Sequence, residues 1–119
     1  MFIKKIISFD KESGEADVCV SDGTYEVLCY SCSFNEALKS KQIDCIYAFG
    51  CEDVYKSSLQ SFDIIKNEQY YAYFFVAQVI SKSLKRVRIG ELIIEIDSYI
   101  PNDILKGDYV LCSAKRFDI

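Results

Sequence analysis

Residues 16–30, which read ADVCVSDGTYEVLCY, decide the fold class of this chain. The first half of the stretch alternates, with Ala16, Val18 and Val20 on one face, which is the pattern of a half-buried β-strand. The Asp-Gly pair at 22–23 is the strongest short-range signal for a hairpin turn, and the segment YEVLCY after it predicts the returning strand. We therefore expect a β-hairpin within a mainly β protein.

The rest of the chain shows the same succession of apolar runs and turn residues. The run at 70–80 is apolar on both faces, which favours a strand buried on both sides, or with one face on a partner, over a buried helix. Gly90 interrupts a later run and suggests a bulge or a barrel bend. Residues 51–68 stay undecided between a short helix and an irregular excursion. The predicted elements are strands at 2–9, 16–20, 25–30, 43–49, 70–80, 87–96 and 109–114, and one short helix within 33–41.

Length and composition fit this pattern of short strands. The 119 residues correspond to one domain, residues 1–119, that is large enough for a hydrophobic core. Hydrophobic residues make up 50% of the chain and there is a single proline, which excludes disordered and collagen-like classes. The predicted fold class is mainly β: a single small barrel or sandwich of about seven mostly antiparallel strands with one short helix.

The sequence lacks the residues on which most enzymes depend. There is no histidine, which excludes His-based acid–base catalysis, Ser-His-Asp and Cys-His sites and histidine metal ligands. No G-x4-G-K-[ST], G-x-G-x-x-G or G-x-S-x-G motif occurs. The carboxylate pairs Glu52-Asp53 and Glu95 with Asp97 have no third ligand pattern beside them. We predict that the protein is not an enzyme and uses no cofactor.

The N-terminal residues and the cysteines bear on the cellular compartment. The apolar stretch after Lys5 is too short for the ~7–15 residues of a signal-peptide core, and the run at 70–80 is too short for the ~20 of a membrane helix. We therefore expect a soluble cytoplasmic protein with reduced thiols. No metal site is predicted, although a C-x2-C pair and a looser C-x5-C pair leave zinc open as an alternative. These two pairs are Cys29 with Cys32 and Cys45 with Cys51.

Charge is distributed unevenly along the chain, and this is the most informative feature of the sequence. Residues 10–53 carry ten acids and three bases, whereas residues 54–119 carry eight acids and nine bases. An acidic surface fits a basic partner, since charge complementarity speeds association and sets specificity. The same acids also fit solvated turns and outward strand faces. The candidate partner-binding residues are Asp10, Glu12, Glu15, Asp17, Asp22, Glu26, Glu52 and Asp53.

A compact basic run next to the aromatic strand supports an alternative. Lys82, Lys85, Arg86 and Arg88 follow the aromatic residues at 70–75. Such a combination is typical of domains that bind single-stranded nucleic acid, in which bases stack on aromatic rings and lysines follow the phosphates. The four basic residues equally fit a polar hairpin turn beside a core strand. A chain of net charge −4 also has little general attraction for nucleic acid.

Two resemblances accompany these patterns. The segment IPNDILKGDYVLCSAKRFDI at 100–119 resembles the closing element of small β-barrels, including OB-like folds, in which a proline-led turn and a Gly-Asp pair precede the last strand. In size, acidity and absence of a catalytic motif, the chain is similar to bacterial toxin-immunity proteins. This second resemblance implies a small protein that covers the active surface of one toxin.

Together these features predict a non-enzymatic protein-binding module, most concretely an immunity-type inhibitor whose acidic surface blocks the basic cleft of a nuclease or other RNA-directed toxin. The expected partner is a basic protein domain, and no membrane is involved. The alternative is an OB-like domain that binds single-stranded nucleic acid. Tyrosine is favoured at interfaces because it offers a large contact area and a hydroxyl group. The tyrosines whose exposure would indicate an interface are Tyr47, Tyr55, Tyr70 and Tyr71.

Overall fold

The computed structural model describes all residues from Met1 to Ile119. Eleven strands and one 3-10 helix form its regular structure, which confirms the mainly β class. None of its helical residues form a segment long and apolar enough to cross a membrane. The strands are β1 (Phe2–Phe9), β2 (Ala16–Ser21), β3 (Glu26–Ser31), β4 (Ile46–Phe49), β5 (Glu52–Lys56), β6 (Asp63–Lys66), β7 (Tyr73–Ser81), β8 (Arg86–Ile89), β9 (Leu92–Ile96), β10 (Tyr109–Ala114) and β11 (Arg116–Asp118), and the helix is Glu36–Ser40.

All eleven strands belong to one sheet, in the order β1-β2-β3-β11-β4-β9-β8-β7-β10-β5, with β6 also paired to β7. Neighbouring strands are antiparallel except for β3 with β11 and β4 with β9, which are parallel. β1 and β5 stand at the two ends of this order and do not pair with each other. The sheet is therefore open, and it differs from the expected barrel or sandwich of about seven strands.

The four additional strands each have a local explanation. β5 and β6 lie in the undecided stretch 51–68, and their residues are mostly exposed, so they lack a clear apolar alternation. The predicted run 87–96 is two strands, because Gly90 and Glu91 form a tight hairpin turn rather than a bulge, with Gly90 at φ +58°. β11 follows β10 after a single residue, and three residues are too few to show a period in the sequence.

The helix and β7 differ from the predicted ranges at their ends. The helix is a single short 3-10 segment, capped by the Asn35 side chain, which accepts a hydrogen bond from the Ala37 N–H at 3.0 Å. β7 begins only at Tyr73, because the preceding residues 67–72 form a loop closed by backbone hydrogen bonds. Phe74 is exposed, so β7 is not buried on both faces throughout its length.

One hydrophobic core of 25 buried residues extends through the molecule. The face of β2 that carries Ala16, Val18 and Val20 belongs to it, as the alternation predicts. β1, β2 and β3 form an antiparallel meander, with the Asp-Gly turn between the second and third strands. The meander therefore contributes its inward face to the core and its outward face to the surface.

β11 connects the meander to the rest of the sheet. It pairs with β3 on one side, through Asp118 and Tyr30, and with β4 on the other. Phe117 at its centre is fully buried. The ring of Phe117 stacks on Tyr73 with centroids 5.3 Å apart and lies 5.7 Å from the ring of Phe75, so β11 also packs on β7.

The start of β7 also contacts β3 directly. The Tyr73 hydroxyl accepts a hydrogen bond of 2.9 Å from the Leu28 N–H. This backbone N–H of β3 does not donate to a neighbouring strand. A buried backbone donor without a partner is costly, so this bond compensates for the missing strand pairing. It also fixes the position of residues 67–72, which precede Tyr73, against the outward face of the meander.

We expect Phe117→Ala to lower the free energy of unfolding by about 3–5 kcal/mol, because it removes a fully buried ring and leaves a cavity at the junction of β3, β4 and β7. The measurement is the urea midpoint followed by circular dichroism. Leu84→Ala is the control, since Leu84 is exposed in the turn between β7 and β8 and its truncation should change stability by less than about 0.5 kcal/mol. Equal losses for the two variants would contradict this role of Phe117.

Candidate functional site: a tyrosine–carboxylate cluster

Two of the predicted acids and three tyrosines meet at the β1–β2 end of the meander. The Tyr30 hydroxyl donates a hydrogen bond of 2.6 Å to Glu15. The hydroxyls of Tyr71 and Tyr70 donate to the two carboxylate oxygens of Asp17, at 2.7 Å and 3.2 Å. We call these five residues the tyrosine–carboxylate cluster.

The fold explains why these residues meet. Asp17 and Tyr30 are cross-strand partners on β2 and β3, and both side chains lie on the outward face of the meander because Ala16 and Val18 lie on the inward face. Tyr71 comes from the loop before β7, and its ring contacts Tyr30 edge-on at 6.2 Å. The cluster therefore combines the meander with a segment about forty residues further along the chain.

The loop at 67–72 is folded around the ammonium group of Lys66. This group donates hydrogen bonds to the carbonyl oxygens of Asn67, Gln69 and Ala72 and lies 5.1 Å from the centroid of the Tyr73 ring. Burial lowers the pKa of Lys66. Three carbonyl acceptors around one ammonium hold the loop closed, and the loop in turn presents its two tyrosines to Asp17.

The cluster borders an open concavity of about 300 Å³, which is also lined by Ser8, Phe9 and Asp10. No lysine or arginine lies within 4.0 Å of the Glu15 or Asp17 carboxylate, so their negative charge is compensated only by hydroxyl donors. This arrangement leaves acidic oxygen atoms and aromatic edges on the same open surface.

The tyrosine hydroxyls of the cluster remain donors at physiological pH. The hydrogen bond to Glu15 raises the pKa of Tyr30 to about 12. Burial, together with the hydrogen bond to Asp17, raises the pKa of Tyr71. Burial and the nearby Asp17 charge raise the pKa of Tyr70. Each hydroxyl therefore keeps its proton and orients a carboxylate rather than adding charge to the site.

The aromatic surface continues from the cluster across β11 and β4. The guanidinium of Arg116 lies over the Tyr30 ring at 4.6 Å and near the Phe49 ring at 5.9 Å, and it forms two hydrogen bonds, of 2.6 and 2.8 Å, with Asp118. Tyr47 and Phe49 on the outward face of β4 are 42% and 44% exposed. Exposed aromatic side chains beside fixed charges are typical of protein-binding surfaces.

The exposure of the four tyrosines singled out from the sequence is mixed. Tyr47, Tyr55 and Tyr70 are exposed, whereas Tyr71 is half-buried by its contacts with Tyr70 and Tyr30. Tyr47 and Tyr70 lie on the surface of the cluster or its continuation. Tyr55 lies on β5, which is a different part of the sheet.

Two further predicted acids, Asp10 and Glu12, extend the cluster. Asp10 lines the same concavity, and its carboxylate accepts a hydrogen bond of 3.0 Å from the Glu12 N–H within the β1–β2 turn. Glu12 itself is exposed. The structure therefore brings together four of the eight predicted acids at one end of the meander.

Asp22 has a structural role at the opposite end of the meander. Its carboxylate accepts hydrogen bonds from the backbone N–H groups of Thr24, Tyr25 and Glu91, at 2.8, 2.7 and 2.7 Å. A side chain at Gly90 would lie only 2.6 Å from one Asp22 oxygen, so the close approach of the two turns also requires glycine there. Asp22 thus ties the β2–β3 turn to the β8–β9 turn.

The remaining predicted acids lie apart from the cluster. Glu26 forms an exposed ion pair of 2.7 Å with Lys4. Glu52 and Asp53 lie on β5, on the other side of the loop at 67–72, in a separate depression that also contains Lys115. Lys115 approaches Glu52 to 3.7 Å. These acids are therefore not part of one continuous acidic surface with the cluster.

The nucleic-acid-binding alternative requires the basic run to lie beside the aromatic residues of β7. In the structure the two are separated along β7. β8 pairs with β7 only at Gln78–Ser81, whereas the aromatic Tyr73–Phe75 segment pairs with β10 and β6. Tyr73 and Phe75 are buried core residues. The structure therefore provides no groove in which these rings and the basic run face the same nucleic acid.

Three of the four basic side chains also form hydrogen bonds or an ion pair within the protein. The Lys82 ammonium donates to the Pro101 carbonyl at 3.1 Å, and Arg86 pairs with Glu95 at 3.3 Å. Arg88 donates to the Gln78 side chain at 3.0 Å and to the Gly90 carbonyl at 3.1 Å. Lys85 is the exception, an exposed residue at φ +54° in the β7–β8 turn.

The four cysteines considered as metal ligands differ in how far they are buried. Cys29 is buried on the inward face of β3, Cys32 is exposed, and Cys45 and Cys51 are half-buried. All six thiols of the chain are free, and two of them are buried. No group of three or more cysteine, aspartate or glutamate side chains has a geometry that could hold a metal ion.

Sequence reasoning found the acids of the site but not its complete composition. Tyr30 and Phe49 were missed because they lie in segments that have the pattern of ordinary strands. Arg116 and Asp118 were missed because β11 is too short to show a period. The available signal was the cross-strand pairing, since Asp17 and Tyr30 are symmetrically placed about the four-residue turn at 22–25.

We expect the free energy of unfolding to decrease when the pH drops below about 4, and we expect Asp22 to contribute to this decrease. Burial disfavours ionisation of Asp22, but the hydrogen bonds from the Glu91, Tyr25 and Thr24 N–H groups outweigh it and lower the pKa below the ordinary value of 3.8. A lowered folded-state pKa adds stability above the unfolded value, and this is lost as pH falls through the folded one. Urea midpoints at pH 6, 4 and 2.5 should show Asp22→Asn less stable than wild type at pH 6, with the difference shrinking at low pH.

The control for Asp22→Asn is Asp103→Asn, because Asp103 is exposed and its carboxyl accepts no hydrogen bond. We expect this variant to follow the wild type at every pH. A difference between Asp22→Asn and wild type that stays constant from pH 6 to pH 2.5 would contradict the role assigned to the Asp22 carboxylate.

We expect Lys66→Met to loosen the loop at 67–72, because the three carbonyl oxygens lose their common donor. Hydrogen exchange of the amides in this loop should become at least several-fold faster while exchange in β2 and β3 stays unchanged. Lys106→Met is the control, since Lys106 is exposed and has no hydrogen-bond or ion-pair partner through its side chain. Unchanged loop exchange in Lys66→Met would show that the loop holds its shape without the ammonium.

Comparison with protein-family models, with curated proteins and with solved structures gives no match for this chain. The basis for assigning a function is therefore the surface chemistry of the tyrosine–carboxylate cluster.

Proposed function

We propose that this chain is a non-enzymatic protein-binding module, most concretely an immunity-type inhibitor that blocks the basic cleft of a nuclease or other RNA-directed toxin. The observation that supports this most is the tyrosine–carboxylate cluster, in which Glu15 and Asp17 have no basic partner within the chain and are framed by three tyrosines. Carboxylates in this setting complement lysine and arginine side chains, and the tyrosines supply contact area.

The acids would act first, by guiding the approach of the partner. Glu12 and Asp10 lie in the turn beside Glu15 and Asp17, so four carboxylates are concentrated at one end of the meander. A local concentration of one charge raises the rate of encounter with an oppositely charged cleft. A cleft that binds RNA is lined by lysine and arginine side chains, and these would face the acidic side chains of the cluster.

The aromatic side chains would act second, by holding the bound partner. Tyr70, Tyr47 and Phe49 are exposed on the surface that continues from the cluster. Desolvated aromatic contacts mainly slow dissociation, whereas exposed charges mainly change the association rate. Access to an RNA-directed toxin requires a cytoplasmic location, and this location is part of the same proposal.

The test is to reverse three acids of the cluster region, with Asp10→Lys, Glu12→Lys and Glu15→Lys combined. The partner is first captured on the tagged chain from nuclease-treated lysate of the source cells, and its binding is then measured by surface plasmon resonance at low and physiological salt. We expect the association rate to fall about tenfold or more at low salt while the dissociation rate changes by less than about threefold. Asp17 is kept, because it holds the loop at 67–72.

The matched control is Glu36→Lys, Glu91→Lys and Asp103→Lys combined, which changes the net charge equally at exposed sites outside the cluster. Tyr70→Ala should instead raise the dissociation rate, whereas Tyr99→Ala, an exposed tyrosine elsewhere, should not. The proposal fails if both charge triples slow association equally, or if the captured partner is not a nuclease or other protein with a basic cleft that wild-type chain inhibits.

A further inference from the structure

A second surface, which shares no residue with the cluster, consists of apolar side chains that nothing in the chain covers. It lies on the outward face of β5, β10, β7 and β6, which are neighbours in the sheet. Tyr55 pairs with Leu111 across β5 and β10, and Phe74 pairs with Ile65 across β7 and β6. Leu59 from the β5–β6 connection lies beside them. We call these five residues the apolar face.

The apolar face is shaped as well as exposed. A cleft of about 150 Å³ opens between Leu59, Ile65, Phe74 and Leu111, with the buried Val76 at its base. Asp63 is the single charged residue in its lining. A cleft of this volume is large enough to take one apolar side chain from another surface, and it offers almost no polar group to a small polar ligand.

The area of the apolar face is sufficient for association between two copies. The five side chains are between 45% and 60% exposed, which corresponds to about 100 Å² each and about 500 Å² per copy. Two copies packed face to face would bury at most about 1,000 Å² from these residues, which is the least that a specific interface needs. Single apolar patches above about 400 Å² are otherwise a liability for a soluble protein.

The architecture favours a second copy as the occupant. The four strands have one face on the core, and the opposite face lacks the second layer that normally covers an apolar sheet. An identical sheet packed about 10 Å away supplies that layer, with each copy presenting the same residues to the other, as in other two-fold dimers. Asp53 is exposed on β5, and Asp63 is exposed on β6, where it also lines the cleft.

We infer that this chain forms a weak two-fold dimer through the apolar face, with the tyrosine–carboxylate cluster of each copy free for its partner. The dimer depends on apolar contact between two molecules of net charge −4. Salt screens the repulsion between the copies and leaves the apolar contact intact, so the dimer tightens with ionic strength. This inference goes beyond the proposed function and shares no residue with it.

Sedimentation velocity of the full chain from about 1 to 200 µM tests the dimer. We expect a monomer–dimer equilibrium within this concentration range and a lower dissociation constant at 500 mM than at 50 mM NaCl. Leu111→Lys and Ile65→Lys should each raise the dissociation constant at least tenfold. Leu84→Lys, the same change at an exposed apolar residue of the β7–β8 turn, should leave it unchanged.

A conservative variant provides a second readout that does not depend on disrupting the surface. The chain has no tryptophan, so Phe74→Trp reports the apolar face alone, and its emission should shift to shorter wavelength as concentration rises. Tyr99→Trp, at an exposed site elsewhere, should show no shift. A chain that stays monomeric up to 200 µM, or a dimer that persists in both lysine variants, overturns the inference, and the first result leaves the apolar face to a different protein.

Discussion

The three residues of β11 hold the two halves of the sheet together, and every other feature of the structure depends on this junction. β11 pairs with β3 of the meander on one side and with β4 on the other. Phe117 places its ring against Tyr73 and Phe75 of β7, so that one side chain joins three parts of the sheet. That ring supports a short backbone pairing, because Tyr30 is the only β3 residue with a β11 partner.

The candidate site lies directly on the outward side of this junction. Arg116 and Asp118 flank Phe117, so their side chains emerge on the opposite face from the buried ring. There Arg116 packs on Tyr30, which in turn orients Glu15. The same pairing that buries an aromatic ring on the inside therefore organises charged and aromatic side chains outside. The surface proposed for partner binding is preorganised by the core beneath it, which lowers the entropic cost of association.

Several parts of the fold were predictable from local pattern. The hairpin around the Asp-Gly turn, the inward face of β2 and strand β10 all follow from alternation and turn chemistry, which are properties of neighbouring residues. The prediction was wrong where the pattern was weak. β5 and β6 border the sheet and are mostly exposed, so they lack a periodic apolar face. The barrel or sandwich of about seven strands is not confirmed, because closure depends on which strands meet at the ends of the sheet, and β1 and β5 do not pair.

By itself, the sequence determined that this chain is a mainly β protein with no histidine and with its acids concentrated in the first half. These properties depend on residue type and short-range order. The tertiary structure alone decided which acids act together. Asp17 accepts hydrogen bonds from Tyr71 and Tyr70, which lie more than fifty positions further along the chain. Asp22 is only five residues from Asp17, but its carboxylate accepts hydrogen bonds from backbone N–H groups. Such a difference arises because the function of a carboxylate depends on the groups that the fold places within hydrogen-bonding distance of it.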